Sequence, residues 1–155
     1  METQNAGNWS QTEAKKNHYG DESDNPSWIE EDAAGSVITR NVKSLSNSMA
    51  ATTAKNGGIV LNLSGIHGDV ALQLPLDSAF APRAYDSDEY GNARTATATA
   101  GRYAWLGAEQ RFTVATSDAV LMGVRLYSPG EGRFLSVDPM FGGNANAYEY
   151  CYGTR

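Results

Sequence analysis

Few side chains in this sequence are of the types that carry covalent or metal chemistry. Cys151 is the only cysteine, so an intramolecular disulfide and a cysteine-based zinc site are both excluded. A catalytic thiol requires an activating base, and neither His18 nor His67 is placed to suggest one. We therefore expect Cys151 to be a structural or incidental residue.

The charged residues show no pattern typical of a metal or nucleic-acid site. Residues 86–92 include three acids, but their spacing does not match a calcium-binding EF-hand loop. The 12 Lys and Arg residues are scattered, with Lys15 and Lys16 as the only adjacent pair, and the net charge is −6. Phosphate recognition requires clustered bases. We expect no metal, no cofactor and no nucleic-acid partner.

One arginine and one aspartate are predicted to meet across a β-hairpin near the C-terminal end. Residues 121–127 and 133–137 have the composition of strands, and the turn sequence SPGEG lies between them. If Tyr127 pairs with Phe134, Arg125 and Asp138 become diagonal neighbours. The distance between their backbones is then about 7 Å, within reach of an arginine side chain.

The same register gathers the aliphatic side chains of this hairpin on one face. A slip of one residue would mix the two faces, so the pattern favours this register. The aliphatic face carries Met122, Val124, Leu126, Leu135 and Val137, and the opposite face carries Arg125, Tyr127, Phe134, Ser136 and Asp138.

The clearest secondary-structure signal is a hairpin over residues 58–75. Its apolar residues alternate with other residues, which predicts two strands with one buried face. Gly65 and Gly68 lie in the linker, where positive φ angles are common. The alternating apolar residues are Ile59, Leu61 and Leu63 in the first strand, and Val70, Leu72 and Leu74 in the second.

The remaining elements are weaker, and no segment has the pattern of a strong helix. The sequence therefore predicts a mostly β chain with little helix. Residues 27–31, 36–40 and 101–107 are predicted strands, residues 32–35 and 86–92 are turns, residues 95–100 are a loop, and residues 41–56 are a loop, a weak strand or a short helix. The aromatic rings of residues 101–107 are expected to fill a core.

Residues that build a hydrophobic core are scarce. Leu, Ile, Val and Phe number 26 of 155, about 17%, which is below the roughly 20% under which disorder becomes an option. Repeat proteins with thin cores stay ordered when neighbouring segments supply the missing burial. We expect a segment of that kind, with residues 1–20 poorly ordered. No apolar stretch predicts a membrane span or a signal peptide, so the chain expressed alone is expected to be cytoplasmic.

Residues 121–152 are similar to the Rhs repeat-associated core signature. That signature runs R-Y-Y-x-P-x-x-G-R-F-x-S-x-D-P, then a glycine-rich stretch and an N-x-Y-x-Y element. Leu126 departs from it, because the family commonly has an aromatic residue there. Upstream, HYGDESDNPSW, IHGDVALQL, DEYGN and RYAWLGAEQR resemble YD-repeat segments of actinobacterial members. The matching positions are Arg125, Tyr127, Pro129, Gly132, Arg133, Phe134, Ser136, Asp138, Pro139, Gly142, Gly143, Asn144, Asn146, Tyr148 and Tyr150.

This resemblance to the Rhs/YD-repeat family implies a structural role. Members build a β-sheet shell that encloses a variable C-terminal toxin used in bacterial competition, and toxin-complex C components are the relatives in which this is best recognised. The expected partners are the remainder of the shell and its toxin. The parent protein is expected to be secreted or displayed at the cell surface. Residues 21–117 correspond to YD-repeat-like segments, and residues 118–155 to the core signature.

The resemblance also implies a catalytic pair. In many members the core cuts the toxin free as an aspartyl-type self-processing protease, and Arg125 and Asp138 match its arginine and its first aspartate. The second aspartate of the family belongs to a later Asp-Pro-x-Gly element. The sequence, which runs to Arg155, contains no such element after Asp138. Aspartyl chemistry requires two carboxylates that share a proton. We expect this chain to have no processing activity and to be, at most, a remnant of that protease.

A carbohydrate- or surface-binding module is a third interpretation. Trp28, Tyr103 and Trp105 are the aromatic side chains that could form such a platform, although packing inside a core is the more common use of such rings.

Overall fold

A computed structural model shows a mostly antiparallel β architecture, which confirms the predicted fold class. It describes residues 15–94, 102–114, 117–139 and 148, together with the backbone of two strands, β1 (Glu2–Asn5) and β2 (Asn8–Gln11). The chain divides into unit 1, Met1–Asn62 with Leu74–Pro82, and unit 2, Leu63–Gln73 with Arg83–Arg155. None of the helical structure described is long and apolar enough to cross a membrane.

The largest sheet has seven antiparallel strands in sequence order. Strands β1 and β2 form a separate hairpin, and together with β3 they fall within residues 1–20. The domain boundaries expected from the sequence, after residues 20 and 117, remain predictions. The seven strands are β3 (Lys16–His18), β4 (Trp28–Glu30), β5 (Ile38–Lys43), β6 (Met49–Ala54), β7 (Ile59–Ser64), β8 (Val70–Pro75) and β9 (Arg83–Ala84).

An aspartate turn joins β4 to β5, as predicted. Gly35 adopts a φ of +64°, and Asp32 Oδ1 accepts hydrogen bonds from the backbone N–H groups of Ser36 and Val37 at 2.8 and 3.0 Å. The hydrogen bond from the Ser36 hydroxyl is the main cause of the lowered pKa of Asp32. These bonds favour the ionised carboxylate, which in turn holds the chain reversal between the two strands.

Most of residues 41–56 forms strands, so the loop and helix predictions for this segment were wrong and the weak-strand alternative is correct. Strand β5 continues to Lys43, and β6 pairs with β5 and β7 on its two sides. Met49 and Ala51 of β6 are buried. The small Ser, Thr and Ala residues have modest strand propensity by themselves, and pairing with two neighbours decides their conformation.

The hairpin predicted over residues 58–75 is present as β7 and β8. Gly68 has a φ of +88°, and Gly65 N donates to Asp69 O at 2.8 Å across the turn. The predicted buried face was only partly correct: Val70 is 1% exposed, but Ile59 and Leu63 are 38% and 47% exposed. Alternation separates the two faces of a strand without showing which face another segment will cover.

The strand predicted over residues 101–107 was wrong in its described part. Tyr103, Ala104 and Trp105 are all buried, whereas consecutive strand residues point to opposite faces. The chain instead makes turns and then a 3-10 turn at Gly107–Glu109, preceded by Leu106 with a φ of +51°. Three hydrogen bonds join this segment to residues 68–70: Asp69 Oδ1 accepts from Leu106 N at 2.8 Å, Val70 N donates to Ala104 O at 2.8 Å, and Ala108 N donates to Gly68 O at 2.9 Å.

A second antiparallel sheet has four strands in sequence order within unit 2: β10 (Phe112–Thr113), β11 (Val120–Met122), β12 (Arg125–Ser128) and β13 (Arg133–Phe134). The single strand predicted over residues 121–127 is in fact β11 and β12, joined by a turn. Gly123 has a φ of +60° and Val124 has no positive φ, which matches a type II′ turn. Val120, Tyr127, Phe134 and Trp105 form a buried cluster.

Candidate functional site

The β12–β13 hairpin brings Arg125 and Asp138 into contact. Tyr127 pairs with Phe134, which confirms the predicted register. Arg125 Nη1 lies 3.0 Å from Asp138 Oδ2, and the two side chains are 16% and 14% exposed. The predicted proximity of the pair is therefore present, and the pair is largely shielded from water. Its catalytic role remains a prediction.

A stack of aromatic rings supports the guanidinium of Arg125. Its Cζ lies 3.6 Å from the centre of the Phe134 ring, close enough for a cation–π interaction. Phe134 packs edge-on against Tyr127 with 5.7 Å between ring centres, and Tyr127 stacks on Trp105 at 5.1 Å. The ion pair thus rests on the buried cluster of unit 2.

The covered face of this hairpin is the aromatic one. Tyr127 is fully buried and Phe134 is 4% exposed, whereas Leu126 and Leu135 on the opposite face are 39% and 51% exposed. The register gathers Val124, Leu126, Leu135 and Val137 on one face as predicted. The placement of Met122 on that face was wrong: it lies on β11 opposite Arg125 and packs against the aromatic cluster, because a turn separates β11 from β12. The rings provide the core. We call the exposed set the aliphatic face; its members are Val124, Leu126, Leu135 and Val137.

Other described positions of the signature lie in or beside the hairpin. Gly132 has a φ of +64° in the turn after β12, and Pro129 is buried. Phe134 N donates to Tyr148 O at 2.9 Å, so the tyrosine of the N-x-Y-x-Y element lies beside β13. Several matched positions lie outside the described residues: Gly142, Gly143, Asn144, Asn146 and Tyr150, together with Cys151.

His67 and the acidic turn at residues 86–92 were the other candidates for a functional site. His67 is exposed in the β7–β8 turn. The predicted turn at residues 86–92 is present: Asp88 Oδ1 accepts from the backbone of Tyr90 and Asn92, and the Asn92 side chain is the main cause of the lowered pKa of Asp88. Within the described ranges, no group of three or more His, Cys, Asp or Glu side chains is arranged to hold a metal ion.

The sequence analysis did not predict a cluster that His18 of β3 forms with Trp28 and Glu30 of β4. The His18 ring stacks on Trp28 with ring centres 3.5 Å apart, and His18 Nε2 lies 3.0 Å from Glu30 Oε1. Residues 16–18 lack an apolar alternation, so no signal placed them in a strand opposite Trp28. Trp28 therefore packs on His18, while Tyr103 and Trp105 are buried, and the three do not form an exposed aromatic platform.

Comparison with known proteins bears on the fold. No model of a known protein family and no curated protein sequence matches the chain. Among solved structures, the fold is similar to that of TcdB2-TccC3-TEV. The likeness covers 96% of this chain, with a TM-score of 0.60 and 18% sequence identity. This chain spans 7% of the length of that one. At this level of identity the likeness shows the fold alone.

Replacing Asp138 with asparagine is expected to lower the free energy of unfolding by about 1–3 kcal/mol. This range lies between the values for exposed and for buried ion pairs, because Arg125 would keep its charge in a largely shielded place. Urea unfolding measures it. Glu131→Gln is the control, since Glu131 and Arg133 also form a close pair, at 2.9 Å, but are more than half exposed. Equal losses in the two variants would contradict the shielding of Asp138.

Proposed function

We propose that this chain is a structural segment of the shell of an Rhs/YD-repeat polymorphic toxin. The observation that carries the proposal is the fold, because 96% of the chain is similar to a 7% portion of a Tc toxin component, TcdB2-TccC3-TEV. The core signature in residues 121–152 supports the same family by resemblance. In this role the segment encloses a C-terminal toxin together with the remainder of the shell, and it is secreted or displayed as part of the parent protein.

The packing of the second sheet supports a role inside a larger assembly. Val124, Leu135 and Val137 of the aliphatic face are 86%, 51% and 54% exposed, next to a well-packed aromatic face. Clustered apolar surface of this kind marks sites that contact other protein. In the proposed shell, neighbouring strands cover this face and supply the burial that the sequence itself lacks.

Co-expression with the polypeptides encoded by the flanking reading frames tests the proposal. We expect the tagged chain to co-purify in a large, protease-resistant particle that contains a toxin-like domain. The double variant Leu126→Lys/Leu135→Lys should keep the circular dichroism spectrum of the chain and lose that assembly. Glu131→Lys, an exposed change in the adjacent turn, should keep both. Flanking frames that encode no β-repeat protein, or lysine variants that still assemble, would refute the shell role.

The Arg125–Asp138 contact favours a second function in a parent protein that supplies another aspartate. We infer that Asp138 then forms half of an aspartyl-type self-processing site: one carboxylate activates water, and the other protonates the amine that leaves the cleaved peptide bond. Arg125 keeps Asp138 in place on the aromatic stack. Mixing this chain with the downstream segment should release a cleaved product, and Asp138→Asn should abolish its release. Continued cleavage by that variant would remove Asp138 from the mechanism.

A further inference from the structure

We propose that a cavity in unit 1 binds the cationic side chain of a lysine or arginine from a partner polypeptide. The cavity has a volume of about 420 Å³ and is lined by residues 56–59 together with Leu76, Asp77 and Phe80. The lining residues belong to the turn between β6 and β7, the first residue of β7 and the segment that follows β8.

Three apolar side chains form the walls of this cavity. Ile59, Leu76 and Phe80 are 38%, 57% and 65% exposed, so an incoming side chain can reach them. Leu76 N donates to Ile59 O at 2.9 Å, which fixes the segment after β8 against the start of β7. The aliphatic stem of a lysine or arginine gains from burial on such a surface while its charged end stays near water.

One short turn places a carboxylate and an aromatic ring at the same cavity. Phe80 N donates to Asp77 O at 3.1 Å, and Asp77 Oδ1 accepts from Ala79 N at 2.9 Å. These bonds hold the Asp77 carboxylate in a defined position and occupy only one of its oxygens. Within the part of the chain that the structure describes, Asp77 Oδ2 and the Asn56 amide have no hydrogen-bonding partner, so both are available to a ligand.

The combination of groups selects a cation. A carboxylate and an aromatic ring both attract a positive charge, the first as an ion pair and the second through the face of the ring. An anion would be repelled by Asp77, and a wholly apolar group would leave the Asp77 and Asn56 side chains unmatched. The net charge of −6 also favours the approach of a basic partner.

Titration of the full chain with three capped tripeptides, acetyl-Gly-X-Gly-amide, tests the proposal. X is lysine, norleucine or glutamate; norleucine has the lysine stem without the ammonium group. NMR shifts of the Gly57 and Gly58 amides and of the Phe80 ring report on the cavity. We expect saturable shifts with the lysine peptide in the millimolar range, weakened by added salt, and weaker shifts with the other two.

Substitutions at two exposed residues separate the contribution of the carboxylate to lysine binding from that of the aromatic ring. Asp77→Asn should weaken lysine binding about threefold or more and remove the preference over norleucine, and Phe80→Leu should weaken it about twofold or more. Lys55→Gln changes the residue that precedes Asn56 in sequence and does not line the cavity, so it should leave binding at least as strong. Spectra of the variants should keep their amide dispersion. Equal binding of the lysine and norleucine peptides, or no saturable shift with the lysine peptide, would overturn the proposal.

Discussion

Replacing Gly91 with alanine is expected to lower the free energy of unfolding by about 3 kcal/mol or more. Gly91 has a φ of +93°, a conformation that side chains other than that of glycine rarely adopt, and an added Cβ would lie 2.6 Å from Cδ2 and Cε3 of Trp105. The indole is 5% exposed and stacks on Tyr127, so it cannot move aside without disturbing the buried cluster.

Gly68→Ala is the matched control for this prediction. Gly68 lies in the same unit and has a φ of +88°, but the nearest atom to its added Cβ is Ala108 Cβ at 3.8 Å. It therefore carries the backbone strain without the collision, about 1–2 kcal/mol. Urea midpoints of the two variants measure the difference, which is the contribution of the Trp105 contact. Equal midpoints would show that the turn and the indole are not in contact.

Tyr127→Ala is expected to destabilise the chain by about 3–5 kcal/mol, the usual cost of removing a large buried ring. Tyr127 is 0% exposed and contacts Trp105 on one side and Phe134 on the other. Its loss leaves a cavity in the centre of the cluster and removes the support beneath Arg125. In a chain with so few core residues, this change approaches the whole stability of a small domain.

Leu126, the residue before Tyr127, provides the control variant for this prediction. Leu126→Ala truncates a side chain of the aliphatic face on the same strand and is expected to cost about 1 kcal/mol or less. Unfolding midpoints, with near-ultraviolet circular dichroism for the environment of the rings, test both. If Leu126→Ala proves the more damaging change, the aliphatic face is the core and the aromatic face is not. Inside the proposed shell we expect the cost of Leu126→Ala to rise, because the face is then covered.

The sequence was sufficient for the presence of the β7–β8 hairpin and for the register of β12 with β13. Period-2 alternation places Ile59 and Leu63 on one face of β7, and the pairing of Tyr127 with Phe134 follows from keeping the aliphatic residues together. That register predicted the Arg125–Asp138 contact, now seen at 3.0 Å. Local pattern is enough here because side-chain direction in a strand depends only on the position along it.

The sequence could not show which faces are covered or where the backbone departs from regular geometry. Tyr127 proved buried and Leu126 exposed, because the segment containing Trp105 packs on the aromatic side. Leu106 and Gln110 adopt positive φ angles that are uncommon for residues with a Cβ. The backbone N–H of Leu106 donates to Asp69, 37 residues away in sequence, and no local pattern encodes that contact.

The order of the strands has a consequence for how the protein is made. In every sheet of the described residues, each strand is hydrogen-bonded to the strand before or after it in sequence. Such pairings close only short loops, and chains dominated by local contacts fold quickly. Each hairpin can therefore form as soon as its second strand leaves the ribosome, where synthesis adds roughly 5–20 residues per second. The sheet can grow in step with translation, and no strand has to wait for a distant partner.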